Sequence, residues 1–132
     1  MMIVYRVEKD NVGPYRSGSV NTARLNKRLR KHNNNNSRPG PFVDKVISKP
    51  IGAYHKHEAS MNLGAYLRPS EHIFGFSTIK QLKQWFTGSR AELRRNGYAV
   101  GVYRVSYNEI YCGEHQAIFP VTSEKIKTIK IP

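Results

Sequence analysis

Ile3-Val4-Tyr5-Arg6-Val7 sets β-branched and aromatic residues around a single cation and stops at Lys9-Asp10-Asn11, with Gly13-Pro14 just beyond. Such a run, bounded by turn residues, predicts a first strand ending in a turn. In NTARLNKRLRKH, Leu25 and Leu29 stand one helical turn apart and cations fill the other sides, which predicts a short basic helix from about Asn21. The asparagine run at 33–36 and Ser37-Arg38-Pro39-Gly40-Pro41 carry too little apolar surface to pack. Residues 32–41 are therefore expected as an exposed loop. From Phe42 to Arg68 no period holds, since Pro50, Gly52, Gly64 and Pro69 interrupt it, and the stretch reads as irregular.

The second half is patterned more clearly. Phe74-Gly75-Phe76 is short and apolar. Thr78-x-x-Gln81 then has capping-box spacing, with Ile79, Leu82, Trp85 and Phe86 at helical intervals, and Ser89-x-x-Glu92 repeats the signature. Asn96-Gly97 ends that helical segment with a residue suited to the left-handed position. Tyr98 to Val105, Ile110 to Cys112, His115 to Phe119 and Lys127 to Ile131 supply strand candidates. Segregated helices and strands imply one α+β domain over residues 1–132, with a mostly antiparallel sheet and two or three short helices.

Charge changes this picture more than length does. Lys and Arg number 22 against nine Asp and Glu, a formal charge of +13 on 132 residues. That excess attracts polyanions over a long range. Nucleic acid, a phosphorylated small molecule or an acidic protein is the partner such a surface suits. With one cysteine, Cys112, no internal disulfide and no cysteine-based metal cluster can form. The N-terminal segment is too short and too charged for a secretory h-region, and no apolar run reaches membrane-spanning length. A cytoplasmic protein without a membrane partner is expected.

Several side chains invite chemistry. His55, His57 and His72 lie near Glu58 and Glu71. A His-x-His pair can share one strand face toward zinc, yet a third ligand is not evident, and a solvated loop is preferred with no metal expected. Cys112 has no cationic neighbour in sequence to activate it and reads as a buried strand residue. Arg24, Lys27, Arg28, Arg30, Lys31 and Arg38 are candidate phosphate contacts, directed at backbone rather than at base sequence.

The polar triplet Glu114-His115-Gln116 between strand candidates completes an ordered set with Tyr5-Arg6 and Phe76-Ser77-Thr78. That order resembles the ADP-ribosyltransferase family of the cholera-toxin type, whose signature runs arginine, aromatic-Ser-Thr-Ser, then Glu/Gln-x-Glu. The resemblance covers both ends of the chain and leaves 24–68 unmatched. It implies the corresponding fold, NAD or an ADP-ribose-like nucleotide as ligand, and ADP-ribosyl transfer or NAD hydrolysis as activity. On that reading Arg6 holds a phosphate or ribose in bidentate fashion, and Ser77 and Thr78 support the cleft. Tyr5, Tyr54 or Phe76 stacks on nicotinamide, and Glu114 with Gln116 forms the catalytic pair. Gln116 stands where the family has its last glutamate and supplies no net charge to an oxocarbenium-like state. Either the ligand is bound without turnover, or Glu114 takes the charge role.

The expectation from sequence is thus a nucleotide-binding α+β protein, with a non-catalytic nucleic-acid-binding protein or an inhibitor of an acidic partner as the alternatives. The small size, the charge and the asparagine tract suit a phage-encoded accessory protein.

Overall fold

The computed structural model describes residues 1–14, 44–50 and 61–132. The expected basic helix from Asn21, the 32–41 loop, Tyr54, His55 and His57 lie outside these residues. Strands run at Met2–Glu8 (β1), Val46–Ser48 (β2), His72–Gly75 (β3), Ala99–Val105 (β4), Tyr111–Gly113 (β5), Ala117–Pro120 (β6) and Glu124–Ile129 (β7). Helices lie at Ile79–Trp85 (α1) and Arg90–Arg95 (α2), with a 3-10 turn at Leu63–Ala65. Every strand pairing is antiparallel, so the described residues form the α+β arrangement that the segregated patterning implied.

The strands make a three-stranded sheet, β1-β4-β7, and a four-stranded sheet, β2-β5-β6-β3. Alternation along β1 sends Tyr5 and Val7 to one face and Val4, Arg6 and Glu8 to the other. On the first face Val7, Val100 and Val102 pack with Leu82, Trp85 and Phe86 of the α1 segment and Leu93 of α2. On the second, Val4, Tyr103 and Val105 meet Cys112, Ala117 and Phe119 of the four-stranded sheet. The three-stranded sheet is therefore the middle layer, buried on both sides, which explains why β4 is apolar at nearly every position.

The sheets are also joined edge to edge. Just past β3, Phe76 exchanges two backbone hydrogen bonds with Tyr5, at 2.8 and 2.7 Å. The chain can come that close because Gly75 has no side chain: a Cβ there would stand 2.8 Å from the Tyr5 carbonyl oxygen and 2.8 Å from the Phe119 ring.

The helices end and begin as their residues dictate. Thr78 caps α1, its hydroxyl accepting from the Gln81 N–H at 3.1 Å. Ser89 makes no side-chain cap at α2, so the second capping signature is met in position only. Gly97, at φ +87°, closes α2, with Tyr98 N–H reaching the Leu93 carbonyl and Gly97 N–H the Arg94 carbonyl in a Schellman arrangement. Asp10 and Asn11, at φ 50° and 66°, carry the tight turn between Lys9 and Val12, residue types that tolerate the left-handed region.

Between the sheets sits a buried ionic cluster. Glu8 is 5% exposed and accepts from the Tyr103 hydroxyl at 2.7 Å and from Arg6 Nε at 3.2 Å. Lys125 pairs with its other oxygen as a charge contact rather than an aligned hydrogen bond. Arg6 also donates Nη1 to the Phe74 carbonyl at 2.9 Å, tying β1 to β3. Burial, then the bond to Glu8, pushes the Tyr103 phenol above its ordinary 10.0, so it remains a donor.

Two variants test these constraints by urea denaturation. Gly75→Ala forces a methyl against backbone and is expected to cost about 1–3 kcal/mol. Glu8→Gln leaves Arg6, 12% exposed, without its counter-charge, whereas Lys125 can turn to water; a loss of about 3 kcal/mol is expected. Wild-type stability in either variant would remove the corresponding constraint.

Candidate nucleic-acid interface

The residues singled out from sequence fall into separate settings. Tyr5 and Phe76 are bridge partners, and Phe76 packs in the helix-side core against Trp85 and Phe86. Ser77 donates to Gln81 Oε1 at 2.8 Å, and Gln81 Nε2 donates to the Glu114 carbonyl at 3.1 Å. Ser77, Thr78 and Glu114 are thus brought together around Gln81. Arg6 is engaged with Glu8 and Phe74 as described. Arg24, Lys27, Arg28, Arg30, Lys31 and Arg38 lie outside the described residues.

The Glu114-His115-Gln116 triplet is organised by a residue that sequence reading passed over. Asp44 has its side chain fully buried and accepts backbone N–H bonds from His115 at 3.2 Å and Gln116 at 3.0 Å, with His115 Nδ1 at 3.3 Å. Both residues lie in the tight turn that joins β5 to β6, closed by the Gly113 N–H on the Gln116 carbonyl at 2.7 Å, so β6 begins at Ala117 and not at His115 as expected. Burial raises the Asp44 carboxyl above its ordinary 3.8, against the lowering effect of the His115 and Gln116 bonds. Nothing in the sequence around Asp44 marks it, because its partners lie 71 and 72 residues on.

The outer surface presents cations. Lys80 and Lys83 are exposed on α1, three residues apart and so on one side of the helix. With Ile79, Gln84, Thr87 and Arg90 they line a shallow concavity at the α1–α2 corner. Arg90 also donates to the Pro132 carbonyl at 2.9 Å.

A second concavity runs beside β2, lined by Lys45, Val46, Ile47, Ser48, Lys49, Met61 and Tyr66. Tyr66 stacks on Tyr111 with ring centres 4.7 Å apart and planes at 21°, and His72 meets Tyr111 edge-on at 6.0 Å. His72 accepts from Arg68 N–H at 2.9 Å, and burial lowers its pKa from the ordinary 6.5. Cys112 is buried and its thiol pKa is raised by that burial. Among the described residues no three His, Cys, Asp or Glu side chains gather into a metal-binding group, and no helix is long and apolar enough to cross a membrane.

The lysines of α1 and the β2 groove were absent from the candidates that sequence supplied. Lys80 and Lys83 were visible as a helical pair. Tyr66 and Tyr111 are joined only by the fold.

The family model for the bacteriophage T4 Y00F protein matches residues 2–131, and the chain belongs to that family. This overturns the resemblance to ADP-ribosyltransferases: the short Arg, Ser-Thr and Glu-x-Gln elements recur here in a chain of another family. It also agrees with the phage-like character that size and charge suggested. No curated protein and no solved structure matches the chain.

The Asp44 clamp generates a pH signature. Its carboxyl holds a proton more readily when folded, so its contribution to stability is fullest at and below the ordinary value of 3.8 and declines as pH rises through the raised folded value. The Tm difference between wild type and Asp44→Asn should therefore shrink as pH climbs from about 4 toward neutrality. A difference that stays flat or grows over that range would contradict the assignment.

Proposed function

We propose that this member of the bacteriophage T4 Y00F protein family binds nucleic acid through the phosphate backbone, without a catalytic step. The observation that carries the reading is the excess of cations, some of which line one outward concavity. The carboxylates of Glu8 and Asp44 are buried and answered by internal donors, while Lys80, Lys83 and Arg90 line one outward concavity. Those cations belong to a formal excess of +13, a surplus that attracts polyanions over a long range. Lysines that neutralise phosphates release condensed counterions, and that release supplies affinity independent of base sequence.

A pocket for a free NAD-like nucleotide is the weaker reading. The phosphate-holding role it assigns to Arg6 competes with the bonds to Glu8 and Phe74. An acidic protein partner would use the same cations and is separated by experiment.

Fluorescence anisotropy with a short labelled oligonucleotide tests the proposal. Binding should weaken linearly in log affinity against log salt, and Lys80→Gln with Lys83→Gln should lower the slope by about 1 per lysine without altering base preference. Binding that ignores salt, or an equal response to polyglutamate, would defeat the nucleic-acid reading.

A further inference from the structure

We infer that the groove beside β2 is a stacking site for the bases of single-stranded nucleic acid, an inference that rests on the backbone-binding reading and adds to it a preference between strands. Lys45, Ile47, Lys49, Met61 and Tyr66 line the groove, a mixture of cations, aliphatic surface and one aromatic ring. Ile47 is 63% exposed, an apolar side chain left toward water beside the cations. Unpaired bases offer what such a surface matches: a flat apolar face carried on a charged backbone.

The Tyr66 ring is held for that role. Its stack on Tyr111, a residue of β5 in the same sheet, fixes its orientation, so little side-chain freedom is lost when a base arrives. The Lys49 ammonium stands over the Tyr66 ring at 5.9 Å and within 3.5 Å of its hydroxyl. Lys49 thereby places a positive charge beside the ring, where the phosphate of a stacked nucleotide would lie. Lys45, exposed on the rim, supplies a second cation along the strand's path.

The dimensions favour part of a polymer over a free nucleotide. The groove encloses about 170 Å³, well below the ~300–1,000 Å³ of ordinary small-ligand pockets. A duplex keeps its base faces stacked on one another and cannot present one to Tyr66. Discrimination by strandedness, with little dependence on base identity, follows.

The experiment compares labelled single-stranded oligo(dT), the same oligonucleotide in duplex form, and dTMP, each titrated with the intact protein. Single strands are expected to bind more tightly than duplex, with dTMP weak. Tyr66→Leu should weaken the single-strand complex by about 5- to 150-fold, the loss of one stacked base, and leave duplex binding unchanged. Tyr66→Trp, which keeps a ring against Tyr111, should retain affinity and have its added fluorescence quenched by the single strand, since Trp85 is buried in the core. Should Tyr66→Leu fail to fold, the fluorescence of Tyr66→Trp decides alone. Equal affinity for single strands and duplex with Tyr66→Leu unaffected, or an unquenched indole in Tyr66→Trp, would overturn the groove while the salt-dependent backbone reading stands. Absence of binding to either form would overturn both.

Discussion

Two backbone hydrogen bonds between Tyr5 and Phe76 hold this molecule's layers in one arrangement. They occupy the edge of β1 that β4 leaves open, and they splice the three-stranded sheet to the four-stranded one through a contact that only glycine at position 75 allows. Once β1 is fixed on both sides, its residues have no choice of environment. Tyr5 and Val7 go beneath the helices, and Arg6 and Glu8 go between the sheets. The arginine that interrupts the first apolar run is thus a tie between β1 and β3, and its charge is answered by Glu8 on the same face.

The parts of the fold that were legible in the sequence are those set by local chemistry. Thr78 with Gln81, the helical spacing of Leu82 and Trp85, Gly97 after α2 and the apolar run of β4 each specify their structure within a few residues. What was not legible depends on distant partners. β2 lies in a stretch with no period of its own and exists by pairing with β5. β7 begins at Glu124, before the expected Lys127, because β4 supplies the ladder that lysine and glutamate do not favour by themselves. The turn that leads into β6 is clamped by a carboxylate some seventy residues away, at Asp44. The site followed the same rule: the lysines of α1 were readable as a pair, whereas the Tyr66–Tyr111 stack has no trace in a linear reading.

The resemblance built from Arg6, Ser77-Thr78 and Glu114-x-Gln116 shows how short elements in order mislead. Each has a local explanation in this structure. Arg6 joins two strands, Thr78 caps a helix, and the Glu114 carbonyl receives Gln81. Membership of the bacteriophage T4 Y00F family rests on nearly the whole chain, residues 2–131, and outweighs three fragments. The charge balance is the more durable signal, since a formal +13 does not depend on how the chain folds.

Among the described residues, β7 is the outermost strand of its sheet, and its sequence, EKIKTI, places Lys125 and Lys127 on that edge strand. A second copy attempting to extend the sheet there would have to pair with this charged strand, on which Lys127 is exposed, and charge on an edge strand opposes such pairing. The charge of that strand consequently works against lateral fusion of neighbouring molecules into a fibre.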